Sequence, residues 1–458
     1  QYTLLLNNPL NALNRFLMSQ NENLHRSLTP TLLWGLGVGY VISGMYFGWN
    51  FGLEKGGTLG MAVATVLSVI MYVCFTLGYA ELSCAIPKAG GVFDYATRAL
   101  GRDWGFMAGI AQVFEFVLAP PAISVGIGAH INLFFPELPP TYAALGAYML
   151  FTLLNVVGVQ LAATFELLIT FLAVAGLILF AGATYNQISI QNLTANALPN
   201  GWAGVWAALP FSIWFFLGIE GLANAAEESR NPQRDLIRGF GSAMLTWVVL
   251  CAFTFICSVG VGGWEAIVYK PDGTTSDSPL PLALARLVGE ANPLYFAVIV
   301  FGLFGLVASF HGLLMAAGRA TFEMGRIGHF PGVLGKVHAK FITPTNALVV
   351  NMLVGILILF SNTAAEIIIL SVLGALTLYC FGSISVIQLR RKEPTLKRPF
   401  LSPAYPFVPL CALILAGVAL VAVAVSNPLL TGYYIGALVV AFVLYKVFNR
   451  NEETETQK

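Results

Sequence analysis

The feature that most limits what this chain can become is a repeated one: stretches of about 20 mostly apolar residues, parted by short polar or Gly/Pro-rich breaks. A helix crossing the hydrocarbon core of a bilayer needs about that length, and it must satisfy its own backbone polar groups on the way. Segmenting at the charged and Pro/Gly breaks gives about twelve spans. They fall near 30–53, 58–86, 104–133, 140–157, 161–184, 203–229, 239–262, 293–322, 345–361, 364–389, 404–425 and 428–448. The fold class this predicts is an all-α polytopic membrane protein. Only 10% of the residues are charged, against about a quarter in soluble domains. A soluble protein with an outsized core does not suit so many windows of this length.

The charges between spans give a sidedness. With the N-terminus inside, Lys55, Lys270 and Arg286 are the only basic residues on outer loops, and the other 20 of the 23 Lys and Arg lie inside or at inner span ends. They cluster at Arg230/Arg234/Arg238, at Arg319/Arg326/Lys336/Lys340 and at Arg390/Arg391/Lys392/Lys397/Arg398. Such a bias sets orientation in a membrane, so both termini are expected on the cytoplasmic side. Residues 88–102 read as an amphipathic helix along the inner surface, and the second half of 263–292 as a short helix over the outer vestibule.

Several classes find no support. The net charge of +1 offers no reason to expect a nucleic-acid partner. The six cysteines sit in or beside apolar segments, with no metal-site spacing and no disulfide framework, so neither a metal nor another cofactor is expected. A nucleotide-binding G-x-x-x-x-G-K-[ST] loop does not occur, which argues against ATP-driven transport within the chain. The few intramembrane acids and histidines are scattered singly, which does not suit an enzyme. Residues 1–28 show no secretory signal pattern and read as a cytoplasmic tail.

Two spans should not be continuous helices. The first contains VISGMYFGWNFG, where Gly44, Gly48 and Gly52 recur every fourth residue; close helix packing would by itself explain them. The sixth contains WFFLGIEGLANAAEESRNP, where Gly218 and Gly221 bracket Ile219 and Glu220. An ionisable residue at mid-membrane costs about 2.5–3.5 kcal/mol on insertion scales and needs a partner or a water-filled cavity. Interrupted spans at matching places in two halves point to a transporter built from inverted repeats, with half-helix ends available to a polar solute near the midplane.

A third position stands out. From Trp104 to Pro136 the only Asp, Glu, Lys or Arg is Glu115. It lies 12 residues beyond Asp103, hence about 18 Å along a helix and close to the midplane. Pro120 and Pro121 cannot donate to the carbonyls of Phe116 and Val117, so a kinked turn beside Glu115 is expected to expose two acceptors. An anion and two acceptors without a compensating cation suit a small ammonium ion. The structural alternative is a protonated or interhelically bonded Glu115 that only packs.

Four stretches then carry a family resemblance: AELSCAIPKAGGVFDYATRALG (80–101), FFLGIEGLANAAEESRNPQRDLIRG (215–239), GRIGHFPGVLGKVHAKFITPTNAL (325–348) and LRRKEPTLKRPFLSPAYPFVP (389–409). Together they resemble the amino acid–polyamine–organocation (APC) superfamily of permeases. Within it the chain looks most like the ethanolamine permeases, through ISGMYFGWNFG, FEFVLAPPAISVGIG and SFHG (309–312). The resemblance implies a LeuT-like fold of five helices plus five inverted, with two appended and spans one and six broken. It divides the chain into an N-terminal tail (1–28), a first repeat (29–186), a second repeat (200–390), spans eleven and twelve (400–449) and a C-terminal tail (450–458). It further implies an integral plasma-membrane protein, a bacterial inner membrane being the expected one. The activity implied is secondary transport of a small cationic amine, ethanolamine first, with the proton as coupling ion. An amino acid or polyamine exchanger and a non-transporting nutrient receptor stay open, as does the oligomeric state.

The resemblance also nominates residues. Amino-acid permeases usually show a Gly-Ser-Gly turn in span one, whose amides hold a carboxylate; here the positions read Ser43, Gly44 and Met45, with Tyr46 just past the break. A methionine in place of the second glycine argues for a substrate without a carboxylate, unless Met45 merely packs outward. Trp214 stands six residues before Glu220, where similar exchangers have a substrate-covering tryptophan. Phe116, Phe216, Gly218, Ile219, Glu220 and His311 complete the candidate pocket, the last two being coupling or gating candidates as well. Glu220 resembles a gating or proton-sensing residue. His311 is a possible proton carrier, and Glu166 an interhelical hydrogen-bonding residue or a further coupling candidate. The lysine that proton-coupled relatives carry in span five is missing from 164–180, and Ser309 is followed by Phe310 rather than a second hydroxyl, so a sodium site has little support.

Overall fold

The computed structural model describes residues 26–157, 159–361 and 363–456. Of the expected terminal tails, 1–25 and 457–458 lie outside these, while 450–456 continue the last helix, Pro428–Thr456, rather than forming a separate tail. Among the described residues, nine helices are long and apolar enough to cross a membrane. The apolar helix Thr345–Ser361 adds another crossing. Two interrupted crossings complete twelve: Pro30–Tyr46 continued by residues 50–56, and Gly201–Trp214 continued by 221–228.

Local chemistry sets the ends. Pro30 opens the first span and Thr29 caps it, its hydroxyl accepting from the Leu32 amide; proline at the first turn lacks only a donor that would be unused anyway. Thr363 and Glu366 form a reciprocal capping box at the start of the tenth span, Ala364–Lys392. Between spans one and two the backbone turns at Gly57, whose φ of +63° suits glycine, and the Leu59 amide there donates to Ala197 O. The expected surface helices are present as Val92–Leu100 and Pro279–Val288.

Burial sorts the bundle. The most apolar window of the third span, Arg102–Phe134, is 83% buried, while that of the twelfth, Pro428–Val447, is 17% buried. The third span packs along the eighth (Pro293–Arg326) and the tenth, and the second packs along Gly201–Trp214. Spans eleven (Phe407–Ser426) and twelve flank this core and present Val421, Val425, Leu429 and Val443 outward. Inside, the first and sixth spans touch directly: a Cβ on Gly44 would meet Trp214 O and Phe215 Cα, and one on Gly52 would meet Met61 and Phe211. Those two glycines do pack closely, as their spacing suggested; Gly48 instead sits in the break, with φ +93°.

The end of the bundle that carries the basic clusters is tied by ion pairs, and those of Glu81 and Arg98 join the stretches 80–101 and 389–409 that carried the resemblance. Glu81, fully buried, accepts from Arg390 Nε (2.8 Å) and from the Ser402 amide (2.8 Å), with Arg398 Nε at 3.3 Å. Arg98 pairs with Glu393, Arg319 with Glu228, and Lys446 with Asp103. Asp94, on the surface helix, is held in a desolvated setting near Glu323, Lys88 and Glu227, and burial lifts its carboxyl from 3.8 to about 6.

Candidate functional site

Both interrupted spans open at the centre of the bundle, and both breaks have their polar groups engaged. The first helical half runs on through Ser43, Gly44, Met45 and Tyr46, and the break falls at Phe47–Trp49. This corrects the expectation of a turn at Ser43–Met45 with Tyr46 beyond it. The reason lies in the eighth span: the Ser43 amide donates to Ser309 Oγ (2.8 Å), and that hydroxyl donates to Gly39 O (2.5 Å). A side chain inserted between Ser43 N and Gly39 O loosens the ladder one turn before the break without ending the helix. The helix ends where Gly48 takes its positive φ, and Gly48 N donates to Asn50 Oδ1 (3.2 Å).

The sixth span unwinds over 215–220, with Gly218 at φ +103°. The amides of Phe216, Gly221, Leu222 and Ala223 reach carbonyls three residues back, a tighter winding than an α-helix. Glu220 bends over its own break: its Oε1 accepts from the Gly218 amide (3.3 Å) and from Tyr379 Oη of the tenth span (3.2 Å). Tyr72 Oη lies 2.8 Å from Tyr379 Oη and 3.2 Å from Ile213 O, so its one proton serves either of them. Phe216 closes this group, its ring 5.3 Å from Tyr72 and 4.8 Å from Trp247. Ile219 lies against Gly37 of the first span.

Trp214 covers the other break. Its Nε1 donates to Phe47 O (2.9 Å), and its ring packs against Gly48, which also meets Ile368 of the tenth span. Tyr46 faces elsewhere: its hydroxyl donates to Ala173 O (2.6 Å) and its ring fills the space at Gly302 and Gly305, so it packs toward spans five and eight.

Glu115 enters from the third span. The helix runs unbroken through Pro120 and Pro121, so the expected kinked turn is not a break. The Glu115 carbonyl accepts from Ser371 Oγ (2.9 Å), and Gly374 lets the tenth span approach so closely that a Cβ there would stand 2.9 Å from Glu115 N. Its carboxylate is fully buried, and neither oxygen has a hydrogen-bond partner in the protein. Gln112, one turn earlier, is likewise buried with both side-chain polar atoms unpartnered. Phe116 is fully buried beside them in sequence. Eight residues, about 12 Å of helix rise, separate Ser371 at Glu115 from Tyr379 at Glu220. The tenth span therefore supports both acids.

The remaining candidates form a separate pair. His311 Nδ1 lies 3.0 Å from Glu166 Oε2, both buried, with Phe151 and Phe165 edge-on to the imidazole. This is an interhelical hydrogen bond of the kind expected of Glu166. The pair stands against Gly39, where a Cβ would collide with Glu166 Oε1 and crowd Thr170 Oγ1. No candidate side chain is more than 3% exposed, so the centre is closed toward both ends of the bundle.

Tyr72, Tyr379, Asn50, Gln112 and Thr170 were not nominated by the sequence. Each is an uncharged polar residue inside an apolar run; a partner across the bundle marks Tyr72, Tyr379, Asn50 and Thr170, and burial without a partner marks Gln112. Among the described residues no group of three or more His, Cys, Asp or Glu could hold a metal.

Two broken helices crossing at mid-bundle, with buried acids around them and a basic end, define a polytopic helical permease. Residues 31–444 match the amino acid permease family, and the chain belongs to it, within the APC superfamily. It is similar to an uncharacterized transporter of Rhizobium meliloti, 29% identical, with 93% of this chain and 94% of that protein covered. It is also similar to a branched-chain amino acid permease of Bacillus subtilis, 26% identical over 85% of this chain and 86% of that one. A low-affinity putrescine importer of Escherichia coli is 24% identical over 86% and 88%. The chain is thus a transporter rather than an enzyme.

Proposed function

We propose that this permease is a secondary active transporter of a small primary amino alcohol, ethanolamine first, working by alternating access with proton coupling. The observation that carries the reading is Glu115: a fully buried carboxylate with both oxygens unpartnered. A buried anion is costly unless a cation joins it, and a primary ammonium supplies three donors. Charge-assisted hydrogen bonds of that kind contribute about 1.5–3 kcal/mol each. The closure of the site favours a small solute.

The span-one amides speak against a carboxylate on the substrate. Those of Ser43 and Gly48 are taken by Ser309 and Asn50, and Met45 is fully buried in the helix between them. In this reading Ser43, Gly44, Met45, Phe116, Trp214, Phe216, Gly218 and Ile219 would surround the substrate held by Glu115, and Glu220 gates the site. The five-plus-five inverted arrangement of 29–186 and 200–390, cytoplasmic termini and a bacterial inner membrane belong to the same proposal, the termini resting on the one-sided basic clusters and the inner membrane on the family resemblance.

The relatives named for branched-chain amino acids and putrescine favour a second reading, an amino acid or polyamine carrier. Uptake of labelled ethanolamine into liposomes separates the two. Ethanolamine and close amino alcohols should compete at least tenfold better than alanine, serine or putrescine, a difference of about 1.4 kcal/mol. A proton gradient, and not a sodium gradient, should drive accumulation. Equal competition by alanine transfers the assignment to amino acids, and equal competition by putrescine to polyamines. Binding without uptake would make the protein a receptor.

A further inference from the structure

We propose that the coupling proton resides on the Glu166–His311 pair, and that Ser309 passes its state to the joint of the first span. The inference deepens the reading of a proton-coupled amine carrier and rests on it. Three observations meet at one place. Glu166 of the fifth span and His311 of the eighth are bonded to each other in full burial, 3.0 Å apart. Glu166 Oε1, the oxygen not facing His311, has no partner and lies against Gly39. The Gly39 carbonyl is the one that accepts from Ser309, two residues from His311, and the same hydroxyl takes the Ser43 amide.

The charge balance explains why a proton matters there. Glu166 ionised and His311 neutral leave one net negative charge in the bilayer core; one added proton makes the pair neutral overall. The neutral form is the one that can move through a low-dielectric interior at little cost. In the anionic form Oε1 requires a donor. The hydroxyls crowding Gly39 are those of Thr170, which donates to Gly35 O (3.2 Å), and Ser309. Either can satisfy the anion only by releasing a carbonyl of the first span. Protonation of the pair leaves both hydroxyls on that span and holds the joint as the structure has it. Loss of the proton loosens it one turn before the break at Phe47–Trp49.

The charged and titratable neighbours are few. Tyr40 of the first span packs on Gly312 and Gly218 and so stands between this pair and the sixth-span break. Arg319 of the eighth span is two turns toward the basic end and is neutralised by Glu228. The fourth span contributes Asn155, whose amide reaches His311 O at 3.4 Å, and Tyr148, which faces Phe310. The Glu220 carboxylate is bonded to Tyr379 of the tenth span instead, and Glu115 meets that span through its backbone carbonyl, its carboxylate making no bond to the pair. Among the described residues no other acid or base shares a side-chain hydrogen bond with the pair.

The test uses liposomes without sodium and compares two modes of the full-length protein: accumulation of labelled ethanolamine under an inward proton gradient, and exchange of labelled for unlabelled ethanolamine at equal pH. Glu166→Gln keeps the hydrogen bond but cannot cycle a proton. It should exchange within threefold of wild type, while gradient-driven accumulation falls at least tenfold and the pH profile of uptake flattens. His311→Gln should lower the ratio of accumulation to exchange in the same direction. In wild type, a pH indicator trapped inside should report one proton entering with each amine. A residue that only packs would lower both modes together and leave the pH profile in place. Accumulation by Glu166→Gln at the wild-type ratio and pH profile overturns the assignment, as does amine entry in wild type without protons. If wild type moves no ethanolamine in either mode, the substrate reading fails by itself. The same ratio is then measured with whichever competitor is transported.

Discussion

Replacing Glu115 by Gln tests the centre of the proposed site. The substitution keeps the size and one acceptor oxygen but removes the charge. In the folded protein that charge is fully buried and neither oxygen accepts a hydrogen bond, so nothing in the protein offsets its desolvation. Removing it should relieve strain in the empty carrier. Insertion scales put a charged residue at mid-membrane at about 2.5–3.5 kcal/mol, an upper bound on the relief. The bound carrier loses instead. An ammonium left without its buried counter-charge should bind about 2–4 kcal/mol more weakly, roughly 30- to 1000-fold. Stability and affinity are therefore expected to move in opposite directions. A thermal-shift titration of the purified variant reads both: the unliganded melting temperature should equal or exceed that of wild type, and ethanolamine should no longer raise it. Lower stability with nearly unchanged affinity would refute the reasoning and return Glu115 to a packing role.

Two further outcomes follow from the surroundings. Gly39→Ala places a methyl against Glu166 Oε1 and Thr170 Oγ1; overpacking of this kind costs about 1–3 kcal/mol, so the variant should melt lower than wild type, whereas Gly417→Ala, inside the helix Phe407–Ser426 and meeting no atom within 4 Å, should melt at or slightly above wild type, since alanine is the better helix former. Asp94 has its carboxyl raised from 3.8 to about 6 by burial. The stability its protonated form contributes is full below pH 4 and lost as pH rises through 6. Asp94→Asn should thus stabilise the protein at pH 7 by up to about 3 kcal/mol, with the gain in melting temperature shrinking as pH falls toward 5; an equal gain at both pH values would show that its proton is not involved.

Much of this was legible from residues alone. Twelve crossings could be segmented because a span is a local property: about 20 apolar residues in a row are enough to cross hydrocarbon wherever they occur in a chain. The interruption of the sixth span was legible for the same reason, Gly218 and Gly221 being adjacent to an acid that no continuous apolar helix would carry. Glu115 stood out as the sole charge in its span.

What the sequence left undecided was every relation between spans. It placed the first break at Ser43–Met45, whereas the helix runs on past that point, with the Ser43 amide taken up by Ser309, 266 residues away, and ends before Gly48. It gave Glu166 and His311 as separate candidates, and only the packing of the fifth span against the eighth makes them a bonded pair across 145 residues. It held no sign of Tyr379, which bonds Glu220 from the tenth span, or of Tyr72 of the second, which bonds Tyr379. Hydropathy and glycine spacing act within one turn or one span, so the chain itself fixes where helices lie and where they weaken. Which polar groups meet depends on crossing helices brought within 3 Å by packing, and that contact exists only once the whole bundle has formed.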